Sequence, residues 1–176
     1  MEPRIASLQI LCRGKRFALA SALVEYGGRR FRRDLLLHPG AVVILPLLDD
    51  GSVVMLRQWR PGCRCWLYEL PAGTIEEGES PEETAARELE EETGYRPGRL
   101  EHIASFYTTP GTSTEKIHAY LATGLSRARQ RLEEDEVLSV VVKPFREVLG
   151  MVLAGEVEDA KTIATILLYA AKTRAL

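Results

Sequence analysis

Residues 73–95 read GTIEEGESPEETAARELEEETGY, and this stretch decides the fold. Its skeleton is Gly73, Glu79, Arg87-Glu88-Leu89, Glu91-Glu92, Gly94 and Tyr95. Ser80 is a good N-cap, Pro81 suits the first helical position, and Glu83 is placed to close a capping box with Ser80. Gly94 suits the position just past a helix end, where φ is often positive. The pattern therefore predicts a helix from Pro81 to Thr93. On it, Glu88 and Glu92 lie one turn apart with Glu91 beside them. Like charges at that spacing repel, and negative charge is disfavoured near a helix C-terminus. A Glu-rich helix is ordinarily just solvated, but selection for stability alone would not choose this arrangement. A hard divalent cation would offset the repulsion, because Mg²⁺ takes carboxylate oxygens together with substrate phosphates.

The rest of the chain reads as alternating strands and turns. Residues 1–36 alternate polar and apolar, with Gly27-Gly28 as a turn, which predicts a small antiparallel sheet. GAVVILPLL (40–48) is a near-continuous apolar run, as in a strand buried on both faces. Asp49-Asp50-Gly51 reads as a hairpin turn returning into SVVMLRQWR (52–60). Further strands are expected at 65–70, 101–107, 115–122 and 137–143. Helices are expected at 145–154 and from an Asp159 cap to Thr173. The polar stretch GLSRARQRLEED (124–135) reads as a mobile loop, of the kind that commonly carries catalytic groups.

Composition excludes several classes. The 176 residues carry a net charge of −2, which leaves no basic excess for nucleic acid. No apolar run is long enough for a membrane span and no signal peptide is visible, so a cytoplasmic protein is expected. Cys12, Cys63 and Cys65 lack zinc-site spacing and read as small buried or loop residues. A strained local disulfide between Cys63 and Cys65 is conceivable but not expected. Asn is absent, Gln is scarce and Arg far outnumbers Lys. The loss of thermolabile amides suggests a thermophilic source.

The 73–95 segment resembles the Nudix box, the signature of the Nudix hydrolases, with every charged and glycine position intact. Tyr95 stands where that family usually has an aliphatic residue, and it is expected to pack as an apolar side chain. The resemblance implies an α/β/α sandwich with a mixed sheet. It also implies cleavage of a nucleoside diphosphate linked to another group. The chain then divides into an N-terminal antiparallel β appendage over 1–37 and a Nudix domain over 38–176.

Outside the box, RQWR (57–60), ELPAG (69–73) and Pro110 in YTTPGTSTE resemble the ADP-ribose pyrophosphatase branch of that family. For this branch the resemblance implies Mg²⁺, Mn²⁺ or another divalent cation on Glu88, Glu92, Glu91, Glu136 and the carbonyl of Ala72. Gly73 and Gly94 shape the box, and Glu79 with Arg87 forms an internal ion pair bracing loop against helix. The acidic run 133–136 supplies the general base. Matching its acidic doublet to the family puts the base at Glu134, with Glu133 or Glu136 next in line. Arg57 and Arg60 are candidates for the diphosphate, because a planar guanidinium matches phosphate oxygens. Glu115, after the proline loop, is expected to hold the distal ribose.

The implied substrate is ADP-ribose or a related nucleoside diphosphate sugar. The implied assembly is a homodimer with exchanged N-terminal sheets. Alternatives are another Nudix substrate, such as GDP-mannose, NADH or a diadenosine polyphosphate, and a catalytically silent ADP-ribose sensor. The intact acids of the box weigh against the sensor.

Overall fold

In the computed structural model, which describes residues 2–175, the N-terminal segment forms an antiparallel sheet of three strands in sequence order. They are β1 (Arg4–Arg13), β2 (Ala18–Tyr26) and β3 (Arg29–Leu37), with Gly27-Gly28 making the expected turn. β1 is exposed along its whole length, and its register shifts twice, between Ile5 and Ser7 and between Ile10 and Cys12. A loop from far along the chain joins this unit. Leu36 donates its N–H to the Thr112 carbonyl at 2.7 Å and accepts from the Thr114 N–H at 3.0 Å. The unit is therefore Met1–Gly40 with Phe106–Lys116, and it includes the loop that carries Pro110.

The second unit comprises Ala41–Ser105 and Ile117–Leu176. Its first elements are β4 (Ala41–Pro46), β5 (Ser52–Arg60), β6 (Cys65–Glu69), β7 (Ala72–Thr74) and α1 (Pro81–Thr93). Then come β8 (Tyr95–Arg96), β9 (Arg99–Tyr107), β10 (Lys116–Thr123), β11 (Ser126–Arg127) and β12 (Leu138–Pro144). Helices α2 (Phe145–Leu153) and α3 (Ala160–Thr173) complete it. One sheet runs β7-β4-β10-β9, a second runs β12-β5-β6, and β11 pairs with β8. The first sheet is mixed, since β10 is parallel to β4 while β7 is antiparallel to it.

Every residue of β4 is buried, as its apolar run predicts. Val42 and Ile44 pack with Ala85 and Leu89 of α1 and with Tyr120 and Ala122 of β10. By strand alternation Val43 and Leu45 point to the other face, and α3 also packs on this strand. Helices on both faces of β4 give the α/β/α sandwich that was expected.

The hairpin expected at Asp49–Gly51 needs correction. The turn exists, with Gly51 donating to the Leu48 carbonyl at 2.9 Å. However, β4 and β5 belong to different sheets: past β4, Leu47 bridges Val53 and Leu48 donates its N–H to the Ser52 carbonyl at 2.8 Å, and the pairing goes no further. Both edges of β4 are already taken by β7 and β10, so β5 has no edge to pair with.

Candidate active site

Helix α1 holds the acidic residues, and both of its ends are fixed by local chemistry. At the start, Ser80 and Glu83 form the reciprocal capping box. At the end, Gly94 adopts φ 70°, the left-handed cap that glycine reaches without a Cβ penalty. Tyr95 follows it into the core at 5% exposure, where it packs as expected, with Arg127 over its ring. The helix leaves its last carbonyls without intrahelical donors. The 128–131 segment supplies them: Ala128 N–H to Gly94, Arg131 N–H to Glu91 and the Gln130 side-chain amide to Glu92 at 2.6 Å. The part of the loop expected to be mobile is thus tied to α1 through 128–131. Gln130 was not identified from the sequence, which carries no signal for a contact 38 residues away.

Glu92 is 2% exposed and its Oε2 accepts the Ala72 N–H at 2.9 Å. Burial raises its pKa well above the ordinary carboxylate value, and the charges of Glu88 and Glu136 push the same way. Burial likewise raises Glu88 to about 7, with Glu136 and Glu91 adding to the shift and Arg87 opposing it. Glu88 lies directly over Gly73: a Cβ built there would stand 1.9 Å from the Glu88 carboxyl carbon. The box glycine is the space that this carboxylate occupies.

Arg87 balances these charges. It grips Glu79 through Nε and Nη2 at 2.8 and 3.0 Å, and reaches Glu88 at 2.9 Å and Glu91 at 3.1 Å through Nη1. These hydrogen bonds pull Glu79 down to about 2, and Thr84 adds another at 2.9 Å. Among the described residues, no three acids, histidines or cysteines are disposed as a ready metal cage. The donor set still suits a hard divalent cation, because Glu88 and Glu92, both raised in pKa by burial, stand beside Glu91, and one guanidinium serves Glu88 and Glu91 together.

Glu136 is drawn back on its own turn and accepts the Glu133 N–H at 2.8 Å, while its charge acts on Glu88 and Glu92. Glu134 is exposed at that turn.

Arg57 is exposed on β5, with its guanidinium 5.1 Å from the centre of the Trp66 ring. Arg60 is engaged by Glu69, a residue 1% exposed, through Nε at 2.7 Å and Nη2 at 2.8 Å. Lys161 also reaches Glu69, at 2.6 Å, and then Asp159, the cap of α3. Burial alone would raise Glu69, but its two cations hold it below the ordinary value. Arg60 therefore has a structural partner that the sequence reading did not anticipate. Gln58 is buried on the same strand with its Oε1 unpartnered.

In the N-terminal unit, Glu115 accepts from Thr108 Oγ1 at 2.6 Å and faces His38 Nε2 at 3.8 Å. Pro110 is exposed in the loop that Thr109 closes by accepting the Thr112 and Ser113 N–H groups.

Residues 37–166 match the NUDIX domain. The chain belongs to the Nudix family. This Nudix chain is 42% identical over 168 residues to a Bacillus subtilis protein named ADP-ribose pyrophosphatase, covering 94% of this chain and 90% of the relative. It is 36% identical over 171 residues to a Mycobacterium tuberculosis protein of the same name, covering 95% of this chain and 83% of that one. A GDP-mannose pyrophosphatase of Cronobacter sakazakii is 38% identical over 135 residues, covering 70% and 69%. A solved ADP compounds hydrolase superposes with a TM-score of 0.86 at 23% identity over 99% of this chain and 96% of that one, which supports the fold. Nudix hydrolases use divalent metal ions, which agrees with the donor set on α1. Among the described residues no helix is long and apolar enough to cross a membrane.

Two variants separate site chemistry from stability. Gly73→Ala displaces the end of a flexible side chain, so the fold should survive with a small loss of melting temperature. Turnover should fall at least about 100-fold, because Glu88 loses its place. Glu88→Gln should do the opposite to stability. The folded value of about 7 lies above the ordinary 4.5, so the folded chain holds this proton more tightly than the unfolded one. Stability of the metal-free protein therefore falls as pH rises from 4.5 towards 7. At pH 8 the variant should be more stable by up to about 3 kcal/mol while losing activity. Denaturant melts at pH 5 and pH 8 with a chelator present check the sign.

Proposed function

We propose that this Nudix hydrolase acts in the cytoplasm on ADP-ribose, cleaving the pyrophosphate to AMP and ribose 5-phosphate with Mg²⁺. The observation that carries the substrate is the near full-length similarity to two proteins named ADP-ribose pyrophosphatase. The RQWR and ELPAG strings and Pro110 support the same reading. Glu88, Glu92, Glu91 and Glu136, with the Ala72 carbonyl, would hold the cation. When bound, the cation neutralises phosphate charge and lowers the pKa of a coordinated water.

The remaining roles fall to named side chains. Arg57 and Arg60 bind the diphosphate, and Glu69 sets the direction of the Arg60 guanidinium. Glu115 accepts from ribose hydroxyls. Glu134 takes the proton of the attacking water, and its place at an exposed turn lets it close over bound substrate. Arg87 and Glu79 keep the acidic helix against the strand that carries Gly73. A second reading, hydrolysis of another nucleotide sugar, is favoured by the similarity to a GDP-mannose pyrophosphatase.

One panel tests both readings: ADP-ribose, GDP-mannose, NADH and diadenosine polyphosphate, each with Mg²⁺ or Mn²⁺ and products identified by mass spectrometry. ADP-ribose should give the highest kcat/KM. Glu134→Gln should lower kcat at an unchanged KM, since a base acts in the transition state. An unchanged kcat would move the base to Glu133 or Glu136.

We further propose a homodimer that exchanges N-terminal sheets. Ile5, Leu8, Leu11 and Phe17 are exposed at 59%, 47%, 50% and 49%, and a three-stranded sheet has little core of its own. Sedimentation equilibrium should return twice the chain mass, and an active monomer would exclude the exchange.

A further inference from the structure

The turn joining β5 to β6 places two thiols together. Cys63 is exposed and Cys65 is partly so, and their sulfurs stand 3.0 Å apart with the Cys65 S–H donating to Cys63. Arg64 between them adopts φ 57°, the left-handed conformation unusual for a residue with a side chain. That conformation belongs to a tight turn in which the Arg64 N–H binds the Arg60 carbonyl at 2.8 Å. Neither cysteine has a role in the hydrolase site, and the spacing excludes an ordinary zinc ligand set. The sequence alone reads them as small buried or loop residues, with a local disulfide conceivable but not expected. The contact between the sulfurs makes them a dithiol instead.

We propose that Cys63 and Cys65 are a two-electron oxidation site, converted by hydrogen peroxide to an intrachain disulfide across the β5–β6 turn. The attacking sulfur is Cys63, because it is the more exposed of the two, with its S–H reaching only the Arg60 carbonyl at 3.5 Å. Cys65 is pushed up by its hydrogen bond to Cys63, to about 11, and stays protonated. The Cys63 thiolate attacks one peroxide oxygen. The O–O bond breaks, an S–O bond forms, and the departing hydroxide leaves as water after protonation. Cys65 then loses its proton and attacks the Cys63 sulfur. The S–S bond forms, the S–O bond breaks, and a second water leaves. Two thiols have given up two electrons, and the peroxide has become two waters.

A disulfide has an S–S length of about 2.0 Å, so the sulfurs must approach by about 1 Å. The exposed turn is where such a movement meets least resistance. Disulfides in a reducing compartment are usually transient, which suits a reversible site on a surface loop. The hairpin affected carries Arg57 and Arg60 on one strand and leads through Glu69 to Ala72 on the other.

The test uses the whole reduced protein, treated with hydrogen peroxide, blocked with iodoacetamide and digested with trypsin without reductant. Trypsin cuts after Arg64. The peptides ending at Arg64 and beginning at Cys65 should therefore stay joined, lighter by two hydrogens, and separate on reduction, while Cys12 is alkylated. Cys65→Ser should leave Cys63 as a sulfenic acid that dimedone traps. Cys63→Ser should slow oxidation at Cys65 at least about tenfold. Alkylation of both cysteines after peroxide has fully oxidised a small dithiol control would overturn the proposal. So would a Cys63–Cys12 link between chains in place of the intrachain bond. Equal oxidation rates at Cys65 in the Cys63→Ser variant and at Cys63 in Cys65→Ser would overturn the order of attack.

Discussion

Two carboxylates held out of water on one face of α1 set the terms for everything around them. Glu88 and Glu92 are one turn apart, Glu92 buried and Glu88 largely so, and both are raised in pKa by that burial. Burying a charge costs several kcal/mol unless something pairs with it. Each neighbouring feature reads as a partial answer. Arg87 supplies positive charge to Glu88, the Ala72 N–H supplies a hydrogen bond to Glu92, and Arg60 adds a more distant positive charge. These answers are incomplete, because the pKa values remain raised. A site left short of positive charge is destabilised on its own, which is the condition under which a bound divalent cation contributes most.

The turn Glu69–Gly73 is held by more bonds than a connecting loop needs. Leu70 donates to Thr162 at 2.8 Å, the Pro71 carbonyl accepts from Ile44 at 2.8 Å, and the Ala72 N–H goes to Glu92. Glu69 itself is gripped by Arg60 and Lys161. The backbone between β6 and β7 is thus fixed from α3, β4 and α1 together. That leaves the Ala72 carbonyl and the Gly73 space at set positions relative to the carboxylates. Precision of this kind matters in phosphoryl chemistry, where positioning and electrostatics supply nearly all of the catalysis.

What could be read from the sequence was local. The capping box, Pro81 and Gly94 act within a few residues, and α1 begins and ends where they predict. The apolar run 40–48 predicted a strand buried on both faces, and Ala41–Pro46 is that strand, because the signal depends only on the strand itself. Pairing across distance was hidden. Asp49-Asp50-Gly51 looks like a hairpin turn, yet β4 had already been claimed by β7 and β10. Lys161 meets Glu69 across 92 residues and Gln130 meets Glu92 across 38, and no periodicity encodes such contacts. Arg60 is a candidate for the diphosphate by its residue type, and its buried partner Glu69 could not be foreseen. A Cys63–Cys65 pairing could be named from the sequence but not expected, because the sulfur contact comes with a left-handed φ at Arg64 that residue preference argues against.

The bonding also separates two tasks. Glu115 is held by Thr108, Ser113 and His38, all within the N-terminal unit. Glu88 and Glu92 are held by Arg87, Ala72 and the 128–131 segment, all within the other. The bonds that hold Glu115 and those that hold Glu88 and Glu92 share no residue, so a substitution around Pro110 removes none of the bonds on the acids of α1. This is a physical reason why one arrangement of acids serves a family whose members differ in the group attached to the diphosphate. It also explains why the box alone, however complete, identifies the reaction and not the substrate.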